Sequence, residues 1–120
     1  MNKSLDDLLT VQEHQALDTF LSELRQRHPG RILDIVLFGS KARGGSYPAS
    51  DIDLLILVDD DNWQFSHAVS TLAARISLNH DVLLGPRVIS LARWPRSILY
   101  RTVSAEGISL PLSHQVPRAA

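Results

Sequence analysis

Apolar positions along this chain fall into two rhythms. Ala16, Leu17, Phe20, Leu21 and Leu24 recur at spacings of three and four, which predicts one buried stripe on a helix. Thr10 and Glu13 stand at capping-box spacing ahead of it, and Pro29-Gly30 closes it. Ser4 and Asp7 are placed to cap a shorter preceding turn that holds Leu5, Leu8 and Leu9. A second stripe comprises Phe65, Ala68, Val69, Leu72, Ala73 and Ile76, with Asp61 and Gln64 spaced to cap its helix. A third helix is expected between about residues 95 and 106, turning Ile98, Leu99 and Val103 inward, with Gly107 at its C′ position.

Between the helical stripes the apolar runs are short and continuous. Residues 32–38, ending Ile35-Val36-Leu37-Phe38, predict a buried strand. Residues 51–58 predict a second, apolar after its opening carboxylates and so covered on both faces. A third strand is expected to begin near His80, to include Asp81-Val82-Leu83-Leu84, and to break at Gly85-Pro86 before Val88-Ile89. Ile108, Leu110 and Leu112 alternate like a short edge strand whose pairing Pro111 limits. Residues 41–44 read as a helical turn, residues 45–49 as a loop, and the tail from Ser113 as mobile. The order helix, strand, turn, strand, helix, strand, helix supports an α/β or α+β fold with a small mixed sheet.

Composition narrows the function classes. The 120 residues suit one domain, spanning 1–120, with one core and no room for a second substrate domain. A net charge of −1 gives no broad basic field for duplex nucleic acid. The absence of cysteine excludes disulfides and zinc-thiolate sites and is compatible with a cytoplasmic location. No apolar run approaches membrane-spanning length, and the N-terminus lacks a signal-peptide core. The five histidines are scattered without helical ligand spacing. Trp63 and Trp94 are expected in core or interface packing before base stacking.

Chemistry concentrates in residues 39–54. Gly39-Ser40 turns the chain out of the first strand, and Asp51 and Asp53 open the second. Alternation puts both carboxylates on one face, about 7 Å apart along the strand. Two carboxylates beside a Gly-Ser turn suit a Mg²⁺-bound nucleoside triphosphate. Gly39 permits close backbone approach to a phosphate, Ser40 offers a hydroxyl and an N–H, and Ser50 can orient the loop before Asp51.

Gly-Ser-x-Ala-Arg-Gly, a spacer, and Ser-Asp-x-Asp-Leu resemble the signature of the DNA polymerase β-like nucleotidyltransferase superfamily. Within it the chain most resembles the minimal nucleotidyltransferases, often paired with a HEPN-domain toxin. The resemblance implies a polymerase β-like palm, two Mg²⁺ ions, ATP as substrate, and transfer of AMP to a hydroxyl on a partner protein, with tyrosine the expected acceptor. It implies that Asp51 and Asp53 bind both metals and that Gly39 and Ser40 contact the β- and γ-phosphates. A third carboxylate is expected on a neighbouring strand; Asp81 fits, and Glu106 and the Asp59-Asp60-Asp61 run compete with it. Arg43 can contact phosphate or brace the Asp pair, with bracing preferred. Lys41 occupies a variable motif position and is expected at the surface. Leu110 and Leu112 serve equally as partner-docking surface or as cover for the sheet. A non-catalytic antitoxin and a small-molecule, antibiotic-type nucleotidyltransferase are the alternatives, and a homo-oligomer stays open.

Overall fold

The computed structural model describes residues 5–44 and 50–110. The Ser4 cap, the 45–49 loop, Leu112 and the tail lie outside them. A short helix α1 (Leu5–Leu8) precedes α2 (Val11–Arg27). Strand β1 (Ile32–Phe38) leads into the short helix α3 (Ser40–Arg43). Strand β2 (Ile52–Val58), helix α4 (Trp63–His80) and strand β3 (Leu84–Ser90) follow. A 3-10 turn (Trp94–Arg96), helix α5 (Tyr100–Glu106) and strand β4 (Ile108–Ser109) complete the described chain.

The sheet order is β3-β2-β1-β4. β1 runs antiparallel to β2 and β4, whereas β2 and β3 are parallel and joined through α4. The mixed α/β sheet expected from the pattern is therefore present. Alternation divides β2 between two layers. Ile52, Leu54, Ile56 and Val58 pack with the α2 stripe and with Phe65, Val69, Leu72 and Ala73 of α4. Leu55 and Leu57 face the other way, against Val36, Phe38 and Val103 of α5. Burial on both faces explains why β2 is almost wholly apolar.

The caps show where local signals sufficed. Thr10 and Glu13 form the reciprocal box: Thr10 Oγ1 accepts from Glu13 N–H at 3.1 Å, and Glu13 Oε1 accepts from Thr10 N–H at 2.9 Å. α4 is capped by Asn62, whose Oδ1 accepts from Phe65 N–H at 2.8 Å. The expected cap, Asp61, instead accepts from Ser90 N–H at 3.0 Å and from the Arg93 guanidinium at 2.8 Å, pinning the end of β3.

Three further expectations are corrected. The expected last helix is divided into the 3-10 turn and α5, leaving Ile98 exposed at 93%. Gly107 has φ −68°, so no left-handed C′ forms; a Cβ there would instead press on Val103 and Val36. The third strand begins at Leu84 and passes through Gly85-Pro86 without interruption, while α4 continues to His80.

Candidate active site

Asp53 pairs across the sheet with Phe38 on one side and Gly85 on the other. Gly39 directly follows Phe38, so each side of the Asp53 carboxylate meets a glycine. A Cβ on Gly39 would overlap Asp53 Oδ2 and stand 3.2 Å from its Cγ. A Cβ on Gly85 would stand 3.5 Å from Oδ1. The carboxylate thus occupies a slot whose walls carry no side chains. Gly39 has φ 79° and ψ −156°, a conformation open essentially to glycine alone. The close approach and the dihedrals impose the same residue.

Asp53 lies half-buried on the α5 side of β2, and Asp51 is exposed two residues upstream. Burial pushes the Asp53 carboxyl above its ordinary range, and the neighbouring Asp51 charge pushes it further; Arg87 and Arg43 oppose the rise. A half-buried carboxylate beside an exposed one of like charge would be stabilised by a divalent cation. Both are hard oxygen donors of the kind Mg²⁺ prefers. Among the described residues no cluster of three or more His, Cys, Asp or Glu could hold a metal. A metal ion at this site would be held by Asp51 and Asp53.

Asp81 is displaced from the expected arrangement. It is the C-cap of α4, in the left-handed conformation at φ 56° and ψ 47°, and its N–H bonds the Ser77 carbonyl. Because α4 packs on the face opposite Asp53, Asp81 ends the other layer and does not begin β3. Ser77 explains the extra helical length: its carbonyl also accepts from Val82 N–H at 3.1 Å, and its hydroxyl from Leu84 N–H at 3.0 Å. Glu106, a competing candidate, pairs with Arg43 at 3.4 Å.

Other residues sort by contact. Ser40 opens α3 beside Gly39 and is half-buried, as is Ser50 before Asp51. Arg43 influences Asp53 electrostatically while its guanidinium reaches Glu106 at the end of α5. Lys41 is not a surface residue: it is 2% exposed, and its Nζ lies 2.5 Å from Glu13 Oε2. Trp63 is 72% exposed and so stands outside the core, whereas Trp94 meets Tyr100 edge-on at 5.2 Å. His80 ends α4, where its carbonyl accepts from Gln12. Leu110 is buried in the core, which settles its role in favour of covering the sheet.

Gly85 and Arg87 are the site residues that sequence reasoning missed. β3 pairs in register with β2, so Gly85 and Arg87 share the face of Asp53 and Leu55. Gly-Pro looked like a strand break, and nothing local ties an arginine two residues later to a carboxylate on another strand.

The sequence profile of the nucleotidyltransferase domain family matches residues 17–108. A "putative protein adenylyltransferase" of Methanocaldococcus jannaschii is 34% identical over 100 residues, covering 81% of this chain and 96% of that protein. Among solved structures, one described as a putative minimal nucleotidyltransferase superposes with a TM-score of 0.52 at 28% identity, covering 81% of this chain and 92% of the other. A toxin–antitoxin structure with AMP-PNP superposes with a TM-score of 0.54 at 23% identity, covering 77% of this chain and 70% of the other, and supports the fold. A sequence match that spans both the glycine turn and the acidic strand, on a sheet that joins them around Asp53, makes this chain a nucleotidyltransferase, a member of the nucleotidyltransferase domain family with the polymerase β-like fold of the minimal nucleotidyltransferases.

Proposed function

We propose that this protein transfers AMP from ATP to a hydroxyl on a partner protein, in the presence of Mg²⁺, and acts as the antitoxin of a pair whose toxin is of the HEPN type. The observation that carries the reading is the Asp53 carboxylate, held in a glycine-walled slot beside Asp51 with its ionisation opposed by burial and by its neighbour. The similarity to a named protein adenylyltransferase supports a protein acceptor, and the toxin–antitoxin neighbour solved with AMP-PNP supports both the nucleotide and the pairing.

Asp51 and Asp53 would hold the metal. When bound, Mg²⁺ supplies charge neutralisation for the triphosphate. Gly39 and Ser40 receive the triphosphate tail on the β1 side of Asp53. The tail's position leaves the β3 side, where Gly85 bears no side chain, for the acceptor. The acceptor oxygen attacks the α-phosphorus, the bond to the β-phosphate oxygen breaks, and pyrophosphate leaves. The acceptor proton passes to solvent. Holding nucleophile and phosphate in line supplies much of the acceleration.

The test incubates each labelled nucleoside triphosphate and Mg²⁺ with the protein and with the product of the adjacent gene. A gain of AMP mass on that product, present with wild type and absent with Asp53→Asn, is expected. Equal inhibition of the toxin by both forms without a mass change would establish a contact-only antitoxin instead.

A further inference from the structure

Lys41 and Glu13 are both charged and both almost wholly buried, at 2% and 3% exposure. Lys41 follows Ser40 in α3, and Glu13 lies in the first turn of α2. One oxygen of Glu13, Oε2, takes the Lys41 ammonium; the other, Oε1, closes the Thr10 cap at 2.9 Å. A single carboxylate therefore ties the start of α2 to the turn beside Asp53. Stability alone does not account for this arrangement. Removing two charges from water is costly, and well-packed neutral side chains of similar volume often serve a fold as well or better. α3, with four residues, cannot hold its own geometry, because so short a helix never repays the cost of its nucleation. Its placement must come from outside: Ala42 packs against the core, and Lys41 ties the helix to Glu13 of α2.

We infer that the Glu13–Lys41 pair is a positioning device that fixes the Gly39-Ser40 turn against Asp53 and thereby sets nucleotide affinity. The inference rests on the triphosphate site proposed above. Lys41 acts through the turn. Its ammonium is directed into the core toward α2, so it takes no direct part in phosphate binding.

The test is the double variant Glu13→Gln with Lys41→Met. Gln keeps an oxygen for the Thr10 N–H, and the charges leave together. The double variant should fold with a melting temperature close to wild type. Its Kd for AMP-PNP with Mg²⁺, and its KM for ATP, should rise about ten-fold, equivalent to about 1.4 kcal/mol, with a smaller change in kcat. Thr10→Ala serves as the contrast: it weakens the cap but spares the ion pair, so it should lower the melting temperature and leave Kd unchanged. Unaltered Kd in the folded double variant overturns the inference. So does a double variant that fails to fold, or a Kd that simply follows melting temperature in both variants, since either outcome makes the pair a structural support only. Failure of wild type to bind AMP-PNP removes the proposed function itself; binding by wild type with equal binding by the double variant removes only the positioning role.

Discussion

Replacing Gly39 by alanine separates two penalties that coincide at one position. The first is backbone strain. At φ 79° and ψ −156° an L-residue is held in a glycine-only region, at a cost of about 1–3 kcal/mol. The second is steric. The new Cβ would overlap Asp53 Oδ2, and overpacking of this kind costs about 1–3 kcal/mol more. Asp53→Ala removes the obstructing oxygens and leaves only Asp53 Cβ, 3.4 Å from the new methyl, an ordinary contact. A double-mutant cycle in urea should therefore give a loss of about 2–6 kcal/mol for Gly39→Ala in wild type and only about 1–3 kcal/mol in the Asp53→Ala background, a coupling of about 1–3 kcal/mol. Transfer by the single variant should fall at least about 100-fold, because relieving the overlap moves the carboxylate by something near an ångström. Equal losses in the two backgrounds would refute the slot: Gly39 would then be required for its dihedrals alone. Near-normal transfer by folded Gly39→Ala would refute the positional argument for Asp53.

Asp53→Asn should abolish transfer yet raise the melting temperature in metal-free buffer at about pH 7. The folded-state carboxyl is held above its ordinary value of 3.8, so ionisation costs native stability; the cost is absent below that value and grows as pH rises through the folded one. The advantage of Asn should accordingly vanish on acidification toward about pH 4, and a stabilisation independent of pH would contradict the cause assigned. Arg87→Gln removes a cation that opposes the rise, so the apparent pKa of Asp53, followed by carboxyl NMR, should move further up; no movement would place Arg87 outside the site. Asp81→Gly should stabilise the fold by up to about 1 kcal/mol, since a left-handed C-cap favours glycine, with transfer unchanged. Lost transfer in that variant would restore Asp81 to the chemistry.

What the sequence determined by itself is whatever a single segment encodes. The period of Ala16, Leu17, Phe20, Leu21 and Leu24 specified a helix and its buried face, and Thr10 with Glu13 specified its start, because the groups involved lie within one turn of each other. The alternation that put Asp51 and Asp53 together needed only the geometry of one strand. The Gly-Ser and Asp-x-Asp spacing pointed to the family because its residue types stand close together in the chain. The tertiary structure decided everything that depends on what is packed alongside. Lys41 is buried because Glu13, far away in sequence, offers a carboxylate inside the core; no local pattern distinguishes it from a solvated lysine. Gly85 and Arg87 join Asp53 because β3 pairs with β2 in one particular register, and a shift of one residue would turn both to the other face. Asp81 became a helix cap because Ser77 could accept from the residues that follow α4, prolonging a helix where the apolar run suggested a strand. Periodicity states which side chains leave water, and only the packed sheet and helices state which charges and glycines they meet there.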